Sequence, residues 1–333
     1  MKKILPLFFA LSVQGLFAQE EFSPAKFGFR YFQMIYKKDT VNILVKSKKG
    51  EETKRKPIFF FCQGSLPIPL ILLDEKGPFG TFPFTADSIT EDYHLVIVGK
   101  PGTPVIGNIK YLDKDFTYYE MQPGHFSKNY LDRNYLDYYV KRNKEVIRYM
   151  QNQTWADKNK LIVAGHSEGS CIAVNMSAEL KEVTHLIYSG GNPLGRMLTI
   201  ITRNRENESD SLQFAEQSFN EWQKIIQDPE NTNTNNGDPH KTTFGFSTPL
   251  IEKFAKISIP VLVTYGTKDY GSAPFNDYLR LEMIRKQRKN IFFKSYIGKE
   301  HNYFAIKKDG EVNYDDYNWN KVVHDWLNWL KNN

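Results

Sequence analysis

The chain has 333 residues, 41% of them hydrophobic and 14% aromatic, which is enough apolar material for a full-sized core and excludes a disordered chain. Its formal charge is +6, and without Lys2 and Lys3 the balance is 42 basic to 38 acidic side chains, too weak and too dispersed for a nucleic-acid footprint. Two cysteines, Cys62 and Cys171, are too few for a disulfide framework; both lie in apolar surroundings and read as free buried thiols, with a single bridge between them as the alternative.

Met1-Lys2-Lys3, an apolar run over residues 4–18 and the polar Gln19-Glu20-Glu21 follow the pattern of a secretory signal peptide spanning residues 1–18. The run is shorter than the roughly 20 apolar residues of a spanning helix. The expected mature chain begins at Gln19, is secreted or periplasmic, and keeps no stable membrane span.

From residue 29 to residue 46 apolar and polar side chains alternate around Asp39-Thr40, which predicts an antiparallel hairpin. Lys46-Ser47-Lys48-Lys49 and Lys54-Arg55-Lys56, which flank a probable hairpin, read as solvated edge charge. Continuous apolar runs then recur at 57–62, 94–98, 160–164, 184–188, 260–264 and 291–296, each predicting a strand buried on both faces. Helical spacing appears between and after them, at 134–151, 275–288 and 317–331. This alternation predicts an α/β architecture with a mostly parallel central sheet and helices on both faces.

Residues 192–257 break the rhythm. They hold helical segments near 197–203 and 212–227 and then a polar run at 231–237. The expectation is a helical cap inserted into a core made of residues 19–191 and 258–333; an ordinary surface excursion is the alternative.

Chemistry concentrates at three places. Gly165-His166-Ser167-Glu168-Gly169 follows the predicted strand 160–164 and precedes a helical stretch, the strand-turn-helix setting of a G-x-S-x-G nucleophile elbow. The serine must stand on a strained turn, and side chains at Gly165 and Gly169 would collide with the neighbouring strand and helix. Serine attacks only when a base takes its proton, so a histidine with an orienting acid should follow. Asp269, in Gly266-Thr267-Lys268-Asp269 just beyond the strand 260–264, is the candidate acid. His301, in Lys299-Glu300-His301-Asn302-Tyr303-Phe304 just beyond the strand 291–296, is the candidate base. Asp277 and Glu300 are weaker rivals for the acid, and His94, His166, His185 and His324 read as structural, whereas His125 and His240 lie in loops where they could touch a substrate. An oxyanion hole needs two backbone N–H groups, for which Glu168 is one and Ser65, then Gln63, the candidates for the other. The aromatic stretch 111–139 reads first as simple core, with the lining of an apolar acyl pocket as the alternative.

With these motifs the chain resembles the α/β-hydrolase superfamily over nearly all its expected mature length. Its GHSEG elbow, GTKD turn and KEHNYF loop are similar to those of dienelactone-hydrolase-like and acyl-thioester-hydrolase-like branches, with a departure at Gln63, where many members carry histidine before the glycine. The resemblance implies the α/β-hydrolase fold and a secreted serine hydrolase that cleaves an ester or thioester of a small acyl substrate through an acyl-enzyme. A serine peptidase of prolyl-oligopeptidase type is the first alternative and a non-catalytic binding protein on the same fold the second. No H-E-x-x-H, paired C-x-x-C or P-loop is present, so neither a metal nor a cofactor is expected.

Overall fold

Eight strands form one sheet whose spatial order departs from chain order at a single exchange. In the computed structural model, which describes residues 23–120, 124–209, 211–234 and 237–333, these strands are β1 (Phe29–Tyr36), β2 (Asp39–Lys46), β3 (Lys56–Cys62), β4 (His94–Val98), β5 (Ala156–His166), β6 (His185–Ser189), β7 (Val261–Gly266) and β8 (Ile291–Tyr296). The order across the sheet is β1-β2-β4-β3-β5-β6-β7-β8. β1 and β2 form an antiparallel hairpin, β2 pairs antiparallel with β4, and every later pairing is parallel. The expected signal peptide falls outside the described residues.

The apolar runs become central strands because successive side chains feed opposite cores. On β3, Ile58, Phe60 and Cys62 join one cluster while Phe59 and Phe61 join the other, and Phe59 and Phe60 are fully buried. Each such aromatic contributes about 1.5–3 kcal/mol by leaving water. The first core is roofed by α1 (Leu136–Gln151), through Tyr138, Tyr139, Val146 and Met150, and by α2 (Glu168–Glu179), through Ile172, Ala173 and Met176.

Between β6 and β7 lie four helices: α3 (Arg196–Glu206), α4 (Phe214–Gln227), α5 (His240–Phe246) and α6 (Ile251–Lys256). Met197 and Ile201 of α3 and Ala215 of α4 form a small core of their own, apart from both faces of the sheet. After β7 comes α7 (Ala273–Arg285), and the chain closes with α8 (Trp319–Asn332). The latter presents Trp319, Val322, Val323, Trp326, Leu327 and Leu330, spaced along one helical face, to the second core.

One charge departs from expectation. Lys56, read from sequence as solvated, is 5% exposed, and its ammonium donates to the carbonyls of Thr90 at 2.9 Å and Glu91 at 2.7 Å and pairs with Glu51. The β3–β4 connection brings those carbonyls over the start of β3, so the lysine is satisfied inside the fold. A three-stranded sheet of Ile71–Asp74, Gly77–Gly80 and Ile106–Asn108 was also illegible, its strands being three or four residues long. No helix among the described residues is long and apolar enough to cross a membrane.

Candidate active site

The turn between β5 and α2 carries Ser167 at φ 56° and ψ −126°, left-handed backbone that a residue with a side chain adopts at a cost of about 1–3 kcal/mol. Hydrogen bonds hold it there. Its N–H donates to the Ser189 carbonyl at 2.9 Å, and its own carbonyl accepts from the Ser170 N–H at 3.0 Å and the Ser170 hydroxyl at 2.6 Å. The flanking glycines have no room for anything larger. A Cβ on Gly165 would lie 2.0 Å from the Gly169 carbonyl oxygen, and one on Gly169 would lie 2.0 Å from that of Cys62.

Asp269 follows β7 in a tight turn and is 4% exposed. Its N–H donates to the Gly266 carbonyl at 3.2 Å, and its carbonyl receives the Ala273 N–H at 2.7 Å, so the start of α7 locks the turn. Its Oδ2 accepts from the Ser272 hydroxyl at 2.5 Å and meets Nδ1 of His301 at 2.6 Å. Burial alone would raise the carboxyl pKa, but His301 and Ser272 prevail and hold it below the ordinary carboxylate range. With Nδ1 facing a carboxylate, the imidazole carries its proton there and leaves Nε2 as an acceptor.

His301 sits in the loop after β8. Glu300 shapes that loop, its Oε1 accepting the N–H groups of Asn302 at 2.8 Å and Phe304 at 2.9 Å. The other rival acid, Asp277, accepts from the Tyr265 hydroxyl at 2.5 Å. His166 packs behind His301 with ring centres 4.9 Å apart, shares a hydrogen bond with Ser189 Oγ at 3.0 Å, and meets the edge of Trp319. Burial, helped by the charge of His301, pushes its pKa down to about 3, which keeps it neutral. It supports the site without reaching the cavity.

Ser167, Asp269 and His301 all open on one cavity of about 560 Å³. Ser65 and Glu168 line it too; Gln63 does not, and its side chain is turned to donate to the Val98 carbonyl at 2.8 Å. A Cβ on Gly64 would be 3.8 Å from that of Ser167, so the 63–65 loop passes the serine in van der Waals contact. Residues 192–257 also contribute to the wall, among them Arg196, Ile200, Arg203 and Phe246. No described residue of the aromatic stretch 111–139 is in the lining: Tyr119 and Tyr130 each pack on Phe126, and the Tyr130 hydroxyl donates to the Ser65 carbonyl at 2.8 Å. Neither His125 nor His240 lines the cavity. Both thiols are free, Cys62 in the core and Cys171, half-buried, at the cavity wall.

Sequence reasoning missed the ion cluster beside the serine. The Glu168 carboxylate, 2% exposed, lies 2.7 Å from the Lys100 ammonium and pairs on its other side with the Arg196 guanidinium, which reaches Asp238 at 2.5 Å. Burial would raise the pKa of Glu168, yet the two cations hold it below its ordinary value. The one legible sign was Lys100, a cation just past the end of an apolar strand. Ser272 was missed as well, since nothing in its neighbourhood distinguishes it from a helix-start serine.

Geometrically, this is a strained serine and a carboxylate-held imidazole facing one cavity at the carboxyl edge of a parallel sheet, where open α/β sheets place their ligands. No protein-family description and no curated protein sequence matches the chain. Solved structures do. The α/β hydrolase GrgF from Penicillium sp. sh18 superposes with a TM-score of 0.55 at 11% identity, covering 91% of this chain and 98% of that one. Pyrococcus horikoshii acylaminoacyl peptidase gives 0.52 at 12% identity over 87% of this chain, which spans only 40% of the peptidase. Porphyromonas gingivalis dipeptidyl peptidase 4 gives 0.52 at 12% identity over 92% of this chain and 35% of that one. Strand order, the turn after β5 and these superpositions together give the chain the α/β-hydrolase fold.

Proposed function

We propose that the chain is a serine hydrolase that cleaves an ester or thioester through an acyl-enzyme, with Ser167 as nucleophile, His301 as general base and Asp269 as the acid that orients the histidine. The observation that carries this reading is the 2.6 Å contact between His301 Nδ1 and the buried Asp269 carboxylate, on the same cavity as Ser167. In the proposed reaction the Ser167 hydroxyl attacks the acyl carbon while Nε2 of His301 takes its proton. Asp269 stabilises the resulting imidazolium, and the leaving alcohol or thiol recovers the proton. The Glu168 and Ser65 N–H groups are assigned to the oxyanion, the first at the amino end of α2, where the helix dipole favours negative charge. Water then repeats the sequence on the acyl-enzyme.

Residues 192–257 are assigned as a cap, because they contribute Arg196, Ile200, Arg203 and Phe246 to the wall of the cavity on which Ser167 opens. Export of the mature chain rests on the amino-terminal pattern of residues 1–18. The test is hydrolysis of a panel of p-nitrophenyl esters, acyl thioesters and peptide amides. Ester or thioester turnover that disappears in Ser167→Ala supports the proposal. Cleavage of amides alone would move the chain to the peptidases, and no turnover on any series would leave it a binding protein.

A further inference from the structure

Three cations, Lys100, Arg196 and Arg203, stand around the cavity with three carboxylates, Glu168, Asp238 and Asp269, but they are not all paired at contact distance. Glu168 is matched by Lys100 and Arg196, Arg196 also meets Asp238, and Asp269 is engaged with His301. The charge of Arg203 helps to hold the Asp269 carboxyl down, but from beyond salt-bridge distance. Among the described residues Arg203 forms no salt bridge, whereas Arg196 and Arg205 of the same helix each hold two carboxylates. Yet Arg203 lines the cavity together with Ser167 and His301.

The arginine also has a defined seat. A Cβ on Gly271 would come within 2.9 Å of Arg203 Nε and 3.0 Å of Thr199 Cγ2, so the Arg203 side chain passes close to Gly271, two residues past Asp269. Thr199 Oγ1 donates to the Gly271 carbonyl at 3.0 Å, tying this part of α3 to the same turn. Arg203 is exposed, so its charge costs nothing while the cavity holds only solvent. The lining also includes the apolar Leu66, Ile68, Ile200 and Phe246. Apolar walls with one exposed guanidinium outside salt-bridge reach of any carboxylate among the described residues suit a ligand with an aliphatic or aromatic body and one anionic end, and the volume of about 560 Å³ is that of a small-molecule site.

Resting on the hydrolase reading of this cavity, we propose that the preferred substrates carry a carboxylate away from the scissile bond and that Arg203 is its anchor. Two matched pairs test this. Mono-p-nitrophenyl adipate is set against p-nitrophenyl hexanoate for a carboxylate on the acyl side, and 3-carboxyphenyl butyrate against phenyl butyrate for one on the alcohol side. In at least one pair the wild type should favour the anionic ester about tenfold in kcat/KM, chiefly through KM, and less as salt is raised. Arg203→Gln should erase that preference, and Arg203→Lys should keep part of it, because the charge remains while the planar fork is lost.

A binding arm separates failure of this inference from failure of the hydrolase reading. Adipate monoamide and 3-hydroxybenzoate should raise the Tm of Ser167→Ala more than hexanamide and phenol do, and Arg203→Gln should remove the difference. If no ester turns over but this binding difference appears, the anion site stands and the hydrolase reading falls. Equal rates within both pairs, a loss in Arg203→Gln that is the same for anionic and neutral esters, or equal binding of the charged and uncharged ligands overturns the proposal.

Discussion

Glu168 and Arg196 form an ion pair that joins the residue after Ser167 to α3, the first helix of the segment between β6 and β7. With Lys100 on its other side, the Glu168 carboxylate sits between two cations in a site closed to solvent. A charge so buried is tolerable only while both partners stay, since removing one member leaves another uncompensated.

Glu168→Gln should therefore destabilise the fold by about 3 kcal/mol, leaving Lys100 buried beside a neutral amide. In thermal unfolding that is a fall in Tm of roughly 4–5 °C for a domain of this size. Adding Lys100→Met should recover much of the loss, because an apolar pair then replaces a broken ionic one. A Tm for Glu168→Gln within a degree of wild type would show that the cluster carries no such weight.

Asp269→Asn should lower kcat on an activated ester by about 10⁴, the penalty for losing the imidazole's orientation and tautomer in a serine triad. Asp277→Asn should be nearly silent, for that carboxylate is committed to the Tyr265 hydroxyl. Glu300→Ala should fall between them by loosening the loop that holds His301, since two of its N–H groups lose their acceptor. Retention of more than a tenth of wild-type kcat by Asp269→Asn would correspond to only about 1.4 kcal/mol and would remove it from the triad.

Stability should fall with acid. Burial pushes the pKa of His166 down to about 3 and that of His94 down to about 4, each from an ordinary 6.5. Below about pH 6.5 the unfolded chain binds protons at both positions while the folded chain does not, so unfolding becomes easier as pH drops towards 4. The slope is about 1.4 kcal/mol per pH unit for each group across that window. Urea denaturation at pH 7.0, 5.5 and 4.5 should reveal it, and His166→Gln should flatten the slope whatever it does to stability at neutral pH. An unchanged slope in that variant would contradict a neutral, buried His166.

Burial pushes both cysteine thiols up to about 12, leaving almost no thiolate at pH 7. Iodoacetamide at that pH should modify Cys62 and Cys171 only after denaturation. Rapid loss of either thiol in the native protein, followed by mass spectrometry, would contradict this, and Cys171 is the sharper case because it touches the cavity.

Much of the sheet was legible because its strands are buried on both faces. A run such as Phe59-Phe60-Phe61 has no polar side to show, and that continuity signals a central strand. The places of Ser167, Asp269 and His301 were legible too, as each lies in a turn just past such a run. What joins elements distant in sequence was not. Lys56 finds carbonyls 34 and 35 residues away, and the Lys100–Glu168 pair spans 68 positions. No local pattern marks partners that only the folded sheet brings together. For the aromatic stretch 111–139 the core reading fits the buried Tyr130, Tyr138 and Tyr139; abundant rings say how much surface a segment can bury but not which cavity it faces.

The most direct test of the account is covalent. A fluorophosphonate should label the native protein, and mass spectrometry should place the adduct on Ser167, within the peptide carrying Gly165 to Gly169. Ser167→Ala should fold with an unchanged Tm, within a few degrees, and take no label. Labelling that persists in folded Ser167→Ala, or an adduct on another residue of the wild type, would contradict the assignment of Ser167 as the nucleophile.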